Sequence, residues 1–297
     1  MNIITYNSPN KLQVGIGLPV RVNCSFGIEN SINLEREIKK IDAVLTSDIP
    51  PDIIMDLSVI TTNPELWQLV REKFDGPIGV LPHYLEFSDT LGLTANTLIK
   101  RIKELFEKGV NFITIHCSPT PELFSLAKQT RTTPVTSRGG GVIIRDMQLN
   151  NRSESIFSLI FDDICHLAKE FGVIINLGTT FRAASVVEGF DTVAQEELKV
   201  QSRFCQMAKQ AGVGVVLEGP GHMALNQLHS YWEHIKHLNV PPMPLGPIVT
   251  DSYSGYDHIA SAIGAAHFMM LSKGGIINSI TAVEHKGGVP NNDLAPI

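Results

Sequence analysis

At 297 residues, with 43% apolar and 18% charged side chains, the chain can bury one large core or two small ones and shows no signature of disorder. A net charge of −6 excludes a non-specific nucleic-acid binder, which needs a basic surplus to neutralise phosphates. The cysteines, Cys24, Cys117, Cys165 and Cys205, are too scattered for a CxxC metal or redox pair and fit a reducing compartment. Met1 to Tyr6 lacks the basic and apolar regions of a signal peptide. The longest apolar stretch, 259–271, contains Ser261, Gly264 and His267 and is too short to span a bilayer. A cytoplasmic protein without membrane contact is expected.

Residues 1–16 are turn-rich and are expected to form an N-terminal cap or edge segment, with 17–297 as a single domain. From there apolar runs suited to buried strands recur at Pro19–Cys24, Asp52–Met55, Ile78–Leu81, Phe112–Ile115, Pro134–Thr136, Val173–Asn176, Val213–Leu217 and Pro247–Thr250. Helical periodicity fills the gaps, as in Leu34, Ile38, Ile41 and Leu45, or Leu98, Ile102, Leu105 and Phe106. Further helices are expected over 155–171, 194–211, 224–237 and 257–271. That alternation predicts an α/β fold of the (β/α)8 TIM-barrel type. A doubly wound sheet competes, but no GxGxxG follows the first strand.

In such a barrel the functional groups sit at strand ends, and here those ends are polar. Ser137-Arg138-Gly139-Gly140-Gly141 reads either as a flexible loop or as an anion cradle of backbone N–H groups, a hydroxyl and a forked cation. Arg182, at the next strand end, is placed to clamp the same anion. The stretch Val215-Val216-Leu217-Glu218-Gly219-Pro220-Gly221-His222 reads as a strand running into a stiff, glycine-permitted bend that presents Glu218 and His222. His222 and His285 are candidate ligands of a catalytic metal with open positions, although the chain has 10 histidines and any two are more often ordinary residues. Asp257 reads as a helix cap.

Glu218 to His222, Leu245 to Asp251 and Gly255 to Ala266 together closely resemble ThiC, the phosphomethylpyrimidine synthase family of thiamine biosynthesis. Met55-Asp56-Leu57-Ser58, Thr114-Ile115-His116, Ser137 to Gly140 and the tail from Glu284 to Asn291 fit in the same order. The resemblance implies a barrel that forms a homodimer. It also implies conversion of aminoimidazole ribotide to the hydroxymethylpyrimidine phosphate with S-adenosylmethionine and a [4Fe-4S] cluster. It carries ribotide contacts over to Met55, Tyr84, His116, Ser137, Arg138, Gly139, Arg182 and Glu218, and a divalent metal (zinc, with iron or manganese as alternatives) to His222 and His285.

The departures qualify this picture. The family's CxxCxxxxC cluster motif and N-terminal domain are not in these residues, and four scattered cysteines do not supply the usual cluster ligands. Thr179-Thr180-Phe181-Arg182 replaces Asp-Gly-Leu-Arg, Ser25 an asparagine and Met243 a tyrosine, so a carboxylate, an amide and a phenol are lost. A truncated, divergent paralogue is therefore expected. It is either a metal-dependent lyase whose cluster comes from another chain, or a ribotide- or thiamine-precursor-binding sensor, carrier or partner subunit.

Overall fold

The computed structural model describes residues 3–252 and 255–282. β1 (Ile4–Tyr6) and β2 (Leu12–Val14) pair as an antiparallel hairpin, Ile4 opposite Val14. The strands that follow are β3 (Arg21–Phe26), β4 (Ile53–Asp56), β5 (Ile78–Val80), β6 (Phe112–Ile115), β7 (Ile174–Leu177), β8 (Val215–Glu218), β9 (Pro242–Met243) and β10 (Ile276–Asn278). They run parallel in the order β10-β3-β4-β5-β6-β7-β8-β9. The two ends of that order meet, because the main-chain N–H and the Nδ2 of Asn278 donate to Pro244 O at 3.4 and 3.0 Å. The chain is a (β/α)8 barrel.

Helices α1 (Leu34–Leu45), α2 (Leu66–Arg71) and α3 (Ala95–Glu107) follow β3, β4 and β5. In α3 the Thr94 hydroxyl accepts from the Thr97 N–H, and Leu98, Ile102, Leu105 and Phe106 form the buried stripe that the 3.6-residue spacing requires. Each such apolar side chain contributes about 1.5–3 kcal/mol when fully buried. The β6–β7 crossover is longer than the rest, with α4 (Pro121–Thr130), α5 (Arg138–Asn150), α6 (Ile156–Leu159) and α7 (Phe161–Phe171). Of these α7 packs between α3 and α8 (Thr192–Ala211), in the usual place of a barrel helix. α9 (Leu225–Ile235) and α10 (Asp257–Ser272) complete the ring.

Two of the predicted strands are corrected. Pro134–Thr136 joins α4 to α5 and is not a strand, since β7 pairs directly with β6 and leaves no slot between them. Pro247–Thr250 is not a strand either. The slot belongs to Pro242–Met243, whose two residues are too few to produce a pattern. β10 is equally short and follows Gly274 and Gly275, both at positive φ, which conceals it from periodicity. Tyr256 is the N-cap residue of α10, and Asp257 opens the first turn, where a carboxylate complements the positive helix end.

Inside the barrel the layers change in character. At the hairpin end Ile4, Tyr6 and Val14 pack on Ile53, Phe112, Ile174, Val216 and Ile276. One layer on, Asn23 Nδ2 donates to Asn278 Oδ1 at 2.7 Å, Asn176 Nδ2 to Thr114 Oγ1 at 2.9 Å, and Thr114 Oγ1 to the Met55 sulfur at 3.4 Å. Beyond this layer lie His116 and Glu218 at the strand ends. Strand alternation thus carries an apolar floor into a polar mouth.

Candidate functional site

The glycine run is the first turn of α5. Ser137 Oγ accepts the Gly140 N–H at 3.1 Å and caps the helix, whose N-terminal end carries the partial positive charge that favours an anion. A helix rich in glycine costs about 1 kcal/mol per residue relative to alanine, and packing explains two of the three. A Cβ at 139 would lie 2.5 Å from His116 Nε2, and one at 140 would lie 2.4 Å from Thr180 Cγ2, whereas one at 141 meets nothing within 4 Å. Gly141→Ala should therefore raise stability by up to about 1 kcal/mol, and Gly140→Ala should lower it by about 1–3 kcal/mol, as read by paired denaturant melts.

His116, 2% exposed, stands behind that turn. Its Nδ1 is 3.1 Å from Thr180 Oγ1 and its Nε2 3.5 Å from Ser137 Oγ. Burial, with His83 and Arg182 nearby, holds its pKa well below the usual histidine value. His83 lies edge-on to it at 5.9 Å between ring centroids and is also edge-on to Tyr84 and Phe157. Neither ring nitrogen of His83 has a well-formed hydrogen-bond partner, and burial pushes its pKa down to about 3. Tyr84 is half-buried, its phenol raised to about 12 by burial against the opposing charges of Arg182 and Arg138.

Glu218 ends β8 and faces the barrel mouth, where it accepts the Thr179 N–H at 2.6 Å. Burial raises its pKa, while Arg182 and that hydrogen bond pull it back. Among the described residues no carboxylate lies within salt-bridge distance of Arg182, and its Nε is buried without a partner. Arg138, by contrast, is 51% exposed and paired with Glu29. Met55 lies one layer below, against Thr114. Tyr84, His116, Ser137, Arg138, Gly139, Arg182 and Glu218 thus gather at the strand C-terminal ends around the first turn of α5.

The Glu218–His222 bend sends its two polar residues to different partners. His222 Nδ1 is 2.7 Å from Asp251 Oδ1, and Asp251 Oδ2 accepts the Val186 N–H at 2.6 Å. A carboxylate on one imidazole nitrogen fixes the ring's orientation, as in histidines that bind metals. His285 lies outside the described residues. Among the described residues no group of three or more His, Cys, Asp or Glu could hold a metal ion.

A family model described as the Radical SAM ThiC family matches residues 2–294. The chain belongs to the ThiC radical SAM family. Phosphomethylpyrimidine synthase of Carboxydothermus hydrogenoformans is 32% identical over 285 residues, 92% of this chain and 66% of that protein. That of Clostridium tetani is 34% identical over 265 residues, 85% of this chain and 56% of its own length. That of Pyrococcus abyssi is 32% identical over 289 residues, 94% and 66% respectively. The chain therefore spans 56 to 66% of these relatives' length.

The thiols of this ThiC-family chain do not fit a cluster. All four cysteines are buried, form no disulfide and belong to the apolar core cluster between strands and helices. Burial pushes the Cys165 and Cys205 thiols up to about 12 and raises that of Cys117 well above the usual thiol value, the opposite of what a thiolate ligand needs. At the departures from the family pattern, Ser25 Oγ receives a hydrogen bond from Asn23 Nδ2 at 3.2 Å, and Met243 is buried in the barrel interior.

Sequence reasoning passed over Glu197. It lies 1% exposed on α8 and receives Ser118 Oγ at 2.5 Å, Thr180 N–H at 2.7 Å and Phe181 N–H at 2.9 Å. A signal was present: Val193, Glu197, Gln201, Phe204 and Ala208 repeat at helical spacing, so a carboxylate and an amide interrupt an otherwise apolar stripe. No described helix is long and apolar enough to cross a membrane.

Proposed function

We propose that this ThiC-family barrel acts as a metal-dependent, phosphomethylpyrimidine synthase-like lyase on aminoimidazole ribotide or a close ribotide, in biosynthesis of the thiamine pyrimidine. The observation that carries this is the Arg182 guanidinium, which among the described residues has no carboxylate in salt-bridge contact and a buried Nε without a partner, and whose charge reaches the buried Glu218 carboxyl and the Tyr84 phenol. The phosphate is held by the Ser137–Gly139 turn, Arg138 and Arg182, with Arg138 exchanging Glu29 for the ligand. Glu218, His116, Tyr84 and the Met55 backbone take the ribose and base. His222, oriented by Asp251, and His285 hold a divalent metal (zinc, iron or manganese), which when bound polarises the substrate. S-adenosylmethionine and a [4Fe-4S] cluster belong to the family, but the thiols of this sequence do not fit the cluster. It is assigned instead to a cluster-bearing partner chain. A homodimer and a cytoplasmic location are part of the same reading.

A second reading is favoured by the buried thiols and by the loss of a carboxylate at Thr179: a non-catalytic barrel that binds a ribotide or thiamine precursor as sensor, carrier or partner subunit. The two part on turnover. Anaerobic incubation of metal-analysed protein with aminoimidazole ribotide, with and without a cluster-bearing partner, should give product in the first case. Micromolar ribotide binding with no product under either condition supports the binder, and no binding at all sinks both.

A further inference from the structure

The segment that leaves β7 is held from both sides by α8. Glu197 accepts the Thr180 N–H on Oε1 at 2.7 Å and the Phe181 N–H on Oε2 at 2.9 Å. Asp191, the N-cap residue of the same helix, receives Arg131 Nε at 2.8 Å and Nη2 at 2.7 Å. The remaining nitrogen of that guanidinium, Nη1, donates to Phe181 O at 2.6 Å. Thr136 Oγ1 donates to Arg182 O at 2.9 Å. The main chain of 180–182 is irregular, so side chains supply the partners that a strand or helix would find in its own ladder.

Buried polar groups of a loop need partners in any protein, so these bonds alone describe a brace. What the brace carries gives it a further meaning. Arg182 directly follows the two N–H groups that Glu197 holds. Its stem lies along the bare backbone of Gly221, where a Cβ would stand 3.7 Å from Arg182 Cβ and Cδ, and its Nε is buried. The charge placed there acts on three groups of the barrel mouth. It favours ionisation of Glu218 and of Tyr84, and it disfavours protonation of His116. Among the described residues no carboxylate in salt-bridge contact anchors the guanidinium, so its place is set by its own main chain and by packing.

We infer that Glu197 is a positioning residue: through the main chain of 180–182, with Arg131 and Thr136 as the other braces, it fixes the place of Arg182 and with it the positive charge of the barrel mouth. A carboxylate suits this task because both of its oxygens only accept. An amide would turn an NH2 toward the Thr180 or the Phe181 N–H and leave that donor without a partner. That Arg182 uses its place to hold a phosphate rests on the function proposed above; that Glu197 sets the place does not.

Exchange of the Arg182 Nε proton with water tests the positioning without a ligand, because a buried N–H exchanges slowly. It is read from arginine side-chain proton–nitrogen spectra of the full chain at about pH 8, above the raised pKa of Glu197, with the signal assigned by its loss in Arg182→Met. Glu197→Gln should speed this exchange about tenfold, and Thr136→Val, an exposed change that leaves the core intact, about threefold. Ribotide affinity should fall about tenfold in Glu197→Gln, and most of that loss should vanish when Arg182 is already Met. Unchanged exchange in a folded Glu197→Gln overturns the inference, as does a ribotide loss that persists in full in the Arg182→Met background. If Glu197→Gln fails to fold, Thr136→Val decides, and unchanged exchange there overturns it. Faster exchange in the variants, with no ribotide binding by the unaltered protein, sinks the phosphate role and upholds the positioning.

Discussion

Replacing Arg182 with Met should weaken binding of aminoimidazole ribotide by about a hundredfold, close to 3 kcal/mol. The guanidinium is half-buried, has a buried and unpartnered Nε, and has no carboxylate in contact among the described residues. Its charge is therefore available to a ligand anion at little cost of breaking an existing pair. Arg138→Met should cost less, within about tenfold, because that side chain is half-exposed and already paired with Glu29. Calorimetric titration with the ribotide and with its unphosphorylated riboside separates the roles. Loss confined to the ribotide marks a phosphate contact. Equal losses for both would mean that Arg182 serves mainly to hold Glu218 ionised, since it is the largest influence lowering that carboxyl's pKa.

His83→Leu should reverse its effect on stability with pH. The folded pKa of His83 is driven to about 3 by burial, below its ordinary 6.5, so the folded state keeps the ring neutral while the unfolded chain takes a proton as pH falls. The contribution is complete above pH 6.5 and is lost on acidification at about 1.4 kcal/mol per pH unit. By pH 4.5 the variant should have gained about 3 kcal/mol on the unaltered protein relative to their difference at pH 7.5. The difference between the two chains is the quantity to measure, by urea unfolding at both values. Asp56 and Glu197, raised by burial to about 6 and 7, act in the opposite sense and would mask a single profile. A gap that stays constant with pH would show that His83 titrates normally.

The barrel was legible because most of its strands are buried on both faces and read as apolar runs between periodic helices. What escaped was short or interrupted. Pro242–Met243 and Ile276–Asn278 close the ring with two and three residues, too few for a period to show. Pro134–Thr136 imitated a strand because a β/α count leaves a place for one, while the chain spends that stretch reaching α5. At the site, residue types that announce their chemistry were readable: an arginine beside glycines, a carboxylate at a strand end. Glu197 and Thr180 were not, since the hydrogen bonds that join them form only when β7 and α8 come together. His222 was read as a ligand without its carboxylate, because Asp251 arrives from a loop that follows β9.

The close fit around His116 has a mechanical meaning. A Cβ on Gly139 would strike this ring at 2.5 Å and one on Gly178 at 2.6 Å, so bare backbone presses on it from two directions. Rotation of the imidazole about its own bond would drive it against the first turn of α5 or the backbone after β7. The seating of the first turn of α5 and the orientation of this ring are thus constrained by the same contact.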